Sequence, residues 1–206
     1  MAFHDNLNLG TTANDGTGDG LRTNLGKLQD NTKDNKQRID DLNGNTPGVV
    51  SANGVTLLNP LDATASFSAT KTGAIKIALP NSWSFTMLKF DVDIYDLKMN
   101  KSFLVKVSGY SYTSTPKWDT TSVQIIATES NRNLPVRFGH DGSKCCLYIG
   151  ELNASWDYPK IAVKNLLLSH QNNDSASWLT GWNIDFEASI FQNVSQTHTN
   201  NLPVAQ

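Results

Sequence analysis

The sequence predicts a mainly β protein: a C-terminal β-sandwich or jelly-roll-like knob on a short coiled-coil helix, behind a polar N-terminal segment. Three observations carry this expectation. Apolar and polar residues alternate through most of residues 61–193, the period of strands with one solvated face. Between Leu21 and Leu42 apolar residues instead recur at spacings of 4 and 3, the period of a helix seam. Before Leu21 neither period is present, and the chain is small, polar and glycine-rich.

Each element follows in order. Residues 1–20 offer nothing from which a core could be built and read as an anchoring segment. Residues 21–43 form the stalk, with a seam of Leu21, Leu25, Leu28, Thr32, Asn35, Ile39 and Leu42 and polar residues almost everywhere between. The polar seam positions Thr32 and Asn35 weaken it, and Gly26 costs about 1 kcal/mol within a helix. Such a helix needs a partner. The competing reading is an amphipathic helix packed on its own domain, against which the stripe is narrow. About 22 residues rising about 1.5 Å each span only about 33 Å. Gly44 and Pro47 stop the helix, and Asn53-Gly54 predicts a hairpin within a linker over 44–60. The knob follows over 61–193, with strands read at Ile75–Leu79, Leu88–Ile94, Phe103–Val107, Val136–Phe138, Leu147–Ile149, Ile161–Val163 and Trp182–Ala188. Residues 194–206 read as a polar, extended tail.

Composition narrows the function. Lys+Arg number 17 against 19 Asp+Glu, a net charge of -2, so no cationic surplus exists to neutralise phosphates and a nucleic-acid partner is not expected. Eight Phe, five Trp and five Tyr are enough to build a core, which excludes a highly charged disordered chain. No apolar run approaches the roughly 18 residues of a membrane span, and the N-terminus lacks a signal peptide. A soluble protein made in the cytoplasm is expected. The only cysteines, Cys145 and Cys146, are adjacent, which suits neither a disulfide framework nor a zinc site. They read as reduced, one in the core and one facing out.

The stretch Gly10-Thr11-Thr12-Ala13-Asn14-Asp15-Gly16-Thr17-Gly18-Asp19-Gly20-Leu21-Arg22 resembles a motif of tailed-bacteriophage virion proteins, in which it leads into a short helix and marks virion-attached fibre or appendage subunits. Residues 30–44 are similar in style to the segmented coiled coils of phage fibritins. Thr72–Pro80 and Trp156–Pro159 look like segments of receptor-binding fibre tips. The resemblance implies a homotrimer with the seam named above. It implies a virion anchor at Asn14, Asp15, Gly16, Gly18 and Asp19, which would join another virion protein. It also implies display at the virion surface after synthesis in the host cytoplasm. The knob would bind a host-surface glycan or protein. The alternative is a head, neck or tail decorating appendage or adaptor whose knob docks other virion proteins; a carbohydrate-binding module ranks third.

Catalytic and metal signatures are sparse. Asp15-x-Thr17-x-Asp19-Gly20 imitates the start of an EF-hand loop, but Gly26 stands where the closing carboxylate belongs, so no metal and no cofactor are expected. Ser68-Ala69-Thr70-Lys71 fits a Ser-x-x-Lys string without its companion motifs, and the protein reads as no enzyme. The informative residues are aromatic. Trp118 and Trp156, read as lying in loops, with Asp157 and Tyr158, are the glycan-binding candidates, because a flat ring beside carboxylates and amides suits a sugar. The competing reading has these rings covering the ends of the sandwich or a trimer interface. Trp83 and Trp182, which begin or continue alternating strands, take that competing reading.

Overall fold

A computed structural model describes residues 27–35, 49–97, 101–128 and 134–199, and the chain divides between Pro47 and Gly48 into two compact units. In the first unit, residues 27–35 form helix α1. Leu28, Thr32 and Asn35 all stand exposed on it, Leu28 by 46%. The Thr32 hydroxyl donates back to the Leu28 carbonyl at 2.8 Å, which satisfies it within the helix. The other seam positions, Leu21, Leu25, Ile39 and Leu42, lie outside the described residues, as do the anchor positions Asn14, Asp15, Gly16, Gly18 and Asp19.

The second unit is mainly β, and its described strands pair antiparallel. It opens with the hairpin of β1 (Val50–Ala52) and β2 (Val55–Leu58) around Asn53 and Gly54, whose φ values of 54° and 76° suit a tight two-residue turn. This hairpin is part of the fold rather than of a linker, because Leu57 of β2 pairs with Leu167 of β12 (Lys160–His170). The large sheet runs β1-β2-β12-β6-β7-β8, where β6 is Thr86–Asp96, β7 Lys101–Tyr112 and β8 Lys117–Ala127. Strand β3 (Thr64–Ser66) also pairs with β12. Alternation along β6 and β7 sends Leu88, Phe90, Val92, Ile94, Phe103, Val105 and Val107 inward.

The smaller sheet contains β5 (Ala74–Ala78), β9 (Val136–His140), β10 (Cys145–Ile149) and β13 (Asn183–Glu187), in the order β13-β5-β10-β9-β14. Its edge strand β14 (Gln196–His198) pairs Gln196 with Phe138, so part of the expected tail completes the sheet. Strands β4 (Lys71–Thr72) and β11 (Ser155–Trp156) form a separate pair, and α2 (Ala176–Leu179) is a single turn that buries Trp178. Inward residues of the large and the smaller sheet merge in one apolar core.

A second cluster, Ala74, Cys146 and Tyr148, lies under Phe191 and Val194. It corrects the reading of the cysteines. Cys145 joins the main core and Cys146 this second cluster, so both are buried. Burial pushes their thiols up, to about 12 and about 11.

Candidate functional site

The two tryptophans expected to meet a glycan are core residues. Trp118 and Trp156 are each 0% exposed. Trp118 begins β8 instead of ending a loop. Its indole N–H donates to the Gly139 carbonyl at 2.9 Å, and its ring meets Phe138 edge-on at 5.3 Å. Gly109 makes room for it, since a Cβ there would lie 3.1 Å from the indole. Trp156 donates to the Gly73 carbonyl at 2.9 Å, and its ring packs edge-on to Phe103 at 6.2 Å. Gly73 holds φ at +126°, with the Glu187 carbonyl where a Cβ would stand, so only glycine fits. The two indoles cannot form one site. Trp118 pairs with Ser111 on β7 whereas Trp156 sits on Phe103, and eight strand residues separate them by about 27 Å.

Asp157 is also structural. It is 8% exposed, its carboxylate accepts from the Thr70 hydroxyl at 2.6 Å, and its N–H donates to Asp96 at 3.1 Å. These bonds tie the end of β6 to the loop before β4. Of the four glycan candidates only Tyr158 is exposed, at 45%, with φ held at +50°. Trp182 packs in the core, its indole N–H donating to the Trp178 carbonyl at 2.8 Å. Trp83 is half-buried and stacks on His140 with centroids 5.1 Å apart.

Two arrangements come together that sequence spacing does not show. The first is an open groove of about 440 Å³ on the outer face of the large sheet. Register aligns Ser66, Lys160, Tyr95 and Ser102 in one row across β3, β12, β6 and β7, with Thr64, Ala162 and Asp93 in the next. Ala162 puts a single methyl between longer neighbours and forms the floor. Tyr95, 39% exposed, supplies an aromatic wall, and Lys160 donates to the Ser66 hydroxyl at 2.8 Å and the Phe67 carbonyl at 3.0 Å. Asp93 is ion-paired with Lys164. An aromatic face bordered by hydroxyls and a carboxylate suits a saccharide, whose C–H face stacks while its hydroxyls hydrogen-bond. No sequence pattern announces it, because its residues are ordinary outward positions of four strands.

The second is the pair Ser82 and His140, with the serine oxygen 2.8 Å from Nε2. Nδ1 accepts from the Gly142 N–H at 3.0 Å, so the neutral ring carries its proton on Nε2 and donates to Ser82. A ring so held cannot take a proton from the serine, which is the reverse of a nucleophile–base pair. The neighbouring Asp141 is fixed in the fold. Partial burial raises its pKa, but bonds from the Lys144 N–H, the Lys76 ammonium and the Ser143 N–H outweigh that and hold it at about 2.

Among the described residues no group of three or more His, Cys, Asp or Glu side chains is placed to hold a metal ion, and no helix is long and apolar enough to cross a membrane. Among known proteins no family model, curated protein or solved structure matches the chain.

Proposed function

We propose that the chain is a non-enzymatic structural protein of a tailed-bacteriophage virion: a short homotrimeric fibre, anchored by its N-terminus, whose coiled-coil stalk carries a β-sandwich knob that contacts a host-surface glycan or protein. The observation that carries this reading is the dense Gly10–Arg22 motif leading into a helix that exposes Leu28, Thr32 and Asn35 beside one another, ahead of a separate β unit. A helix of this kind gains stability by burying that stripe against copies of itself. With Trp118 and Trp156 in the core, the receptor contact moves to the groove beside Tyr95.

The burial of those two indoles also favours the second reading, a decorating appendage or adaptor whose knob docks other virion proteins. Host-cell binding separates the two. Fluorescently labelled full-length protein is titrated onto host cells with intact or enzymatically stripped surface polysaccharide, beside Tyr95→Ala. The receptor reading expects binding that falls roughly 5- to 150-fold in the variant, the range of a lost hot-spot ring. No binding to either kind of cell gives the lead to the appendage reading. Removal of residues 1–20 should leave the trimer intact and abolish incorporation into particles; full occupancy would contradict the anchor.

A further inference from the structure

The outer face of the large sheet differs in charge from the chain as a whole. At the outward positions of β6, β7, β8 and β12 stand Lys89, Lys106, Lys117, Lys160 and Lys164. Against these five lysines the same positions carry three carboxylates, Asp91, Asp93 and Asp119, an excess of two positive charges in a chain whose net charge is -2. All three carboxylates are engaged. Asp93 pairs with Lys164 and Asp119 with Lys117 at 3.3 Å, while Asp91, opposite Lys106 in register, accepts from the Asn165 amide at 2.9 Å. Lys89 and Lys160 have no ion-pair partner among the described residues.

Both of these lysines line hollows. Lys160 lies in the Tyr95 groove, where its ammonium donates to the Ser66 hydroxyl and the Phe67 carbonyl, both neutral. Two of its three N–H groups are thereby held in place, and the third, with the charge, is left for a ligand. Lys89 lines a second hollow of about 250 Å³ with Lys106, Gln124 and the Ser108 and Ser122 hydroxyls, which lie 2.7 Å from one another. Tyr95 and Lys89 stand six residues apart on β6, which separates the hollows by about 20 Å along one face. An ammonium beside hydroxyls recurs at both ends, with an aromatic wall at one of them. A single sugar reaches one hollow; a chain of sugars reaches both. A nucleic acid suits the face less well, because it carries a phosphate on every unit and would meet an excess of only two cations.

We infer that this face takes an acidic polysaccharide, a chain whose anionic groups are held by Lys160 in the Tyr95 groove and by Lys89 in the second hollow. The inference rests on the glycan reading proposed above and adds the charge and the length of the glycan. Full-length protein is titrated with polygalacturonate, dextran sulfate, neutral dextran and oligo(dT), the two acidic polymers telling a carboxylate from a sulfate ester. The expected result is that at least one acidic polymer binds about tenfold or more tighter than dextran. That advantage should vanish between about 0.1 M and 1 M salt, as the screening length falls from about 10 Å to about 3 Å. Lys160→Gln and Lys89→Gln should each weaken the acidic polymer about 3- to 5-fold, and the double variant by about the product of the two. Lys33→Gln on helix α1 removes the same charge elsewhere and should change nothing. Acidic polymers that bind no tighter than dextran, a Lys89→Gln without effect, an equal loss from Lys33→Gln, or tighter binding of oligo(dT) overturns the inference. Dextran that binds as tightly as the acids leaves the glycan reading standing. Binding of the acidic polymer by a chain that does not bind host cells keeps this face and overturns the receptor reading.

Discussion

The two principal sheets share a core, yet their outer faces differ. The smaller sheet is covered: Phe191 and Val194 lie over Ala74, Cys146 and Tyr148, the Phe191 ring lies tilted against Tyr148 with centroids 5.2 Å apart, and the Arg137 guanidinium sits 4.1 Å from the same ring. Among the described residues the large sheet leaves its outer face uncovered, with Val50, Leu57, Met87, Tyr95 and Ile126 all exposed. A chain that spends its own C-terminal segment covering one sheet has the means to cover apolar surface. Exposed apolar side chains grouped on one face are a feature of interaction surfaces, and the contact proposed above is placed on that face.

The comparison can be broken or sharpened by substitution. The largest effect is expected inside, common to both sheets. Trp118→Ala and Trp156→Ala should each cost about 3–5 kcal/mol in denaturant unfolding, because each empties a buried site and orphans a glycine carbonyl. A loss under about 1 kcal/mol at either would return that ring to the surface. Next comes the covered face. Phe191→Ala should cost about 2 kcal/mol and open Cys146, but not Cys145, to a maleimide that leaves both native thiols unmodified. Equal labelling would show that Phe191 covers nothing in particular.

A smaller effect belongs to Asp141, whose ion pair with Lys76 at 3.0 Å closes the rim of the covered sheet. Its folded-state pKa, about 2, lies below the ordinary aspartate value of 3.8, so its ionised form stabilises the fold above about pH 4 and the contribution is lost as pH falls through 2. Asp141→Asn should therefore cost about 1–2 kcal/mol at neutral pH and nothing near pH 2, read from unfolding midpoints across that range. The smallest effect is expected on the open face. Met87→Ala should change unfolding of the isolated chain by less than about 0.5 kcal/mol. A larger loss would mean that the open face is packed within one copy.

Much of the β architecture is legible in the sequence, because strands such as Leu88–Ile94 and Phe103–Val107 alternate without a break. Strand β8 escapes that reading. Asp119, Thr120 and Thr121 interrupt its alternation, and its register against β7 shifts between Ser108 and Tyr110 as Thr120 takes φ +48°. The Thr-Thr-Ser-Val-Gln-Ile-Ile run is the local signal that would have found it. The same irregularity made Trp118 look like a loop residue. Trp156 misled for a different reason: its turn-like neighbours are real, but strand β11 is only two residues long and the indole points into the core. Cys146 does face away from Cys145, as alternation demands; the sequence could not show that Phe191 and Val194 return to cover it. The Tyr95 groove exists only through register between distant strands, which no local pattern encodes.

Strand β5 carries a consequence for the way the chain is made. Ile77 lies between Leu147 and Ile184, so a nascent chain holds this interior strand long before either neighbour has left the ribosome. The smaller sheet cannot close until Asn183–Glu187 has emerged, and its last edge waits for His198. Until then, the hydrogen-bonding edges of Ala74–Ala78 are open to any other strand, including the same segment of a chain growing on the next ribosome. Crowded polysomes are where this protein is most exposed to mispairing, and a chain stalled before Trp182 should be a substrate for chaperones rather than a shorter folded unit.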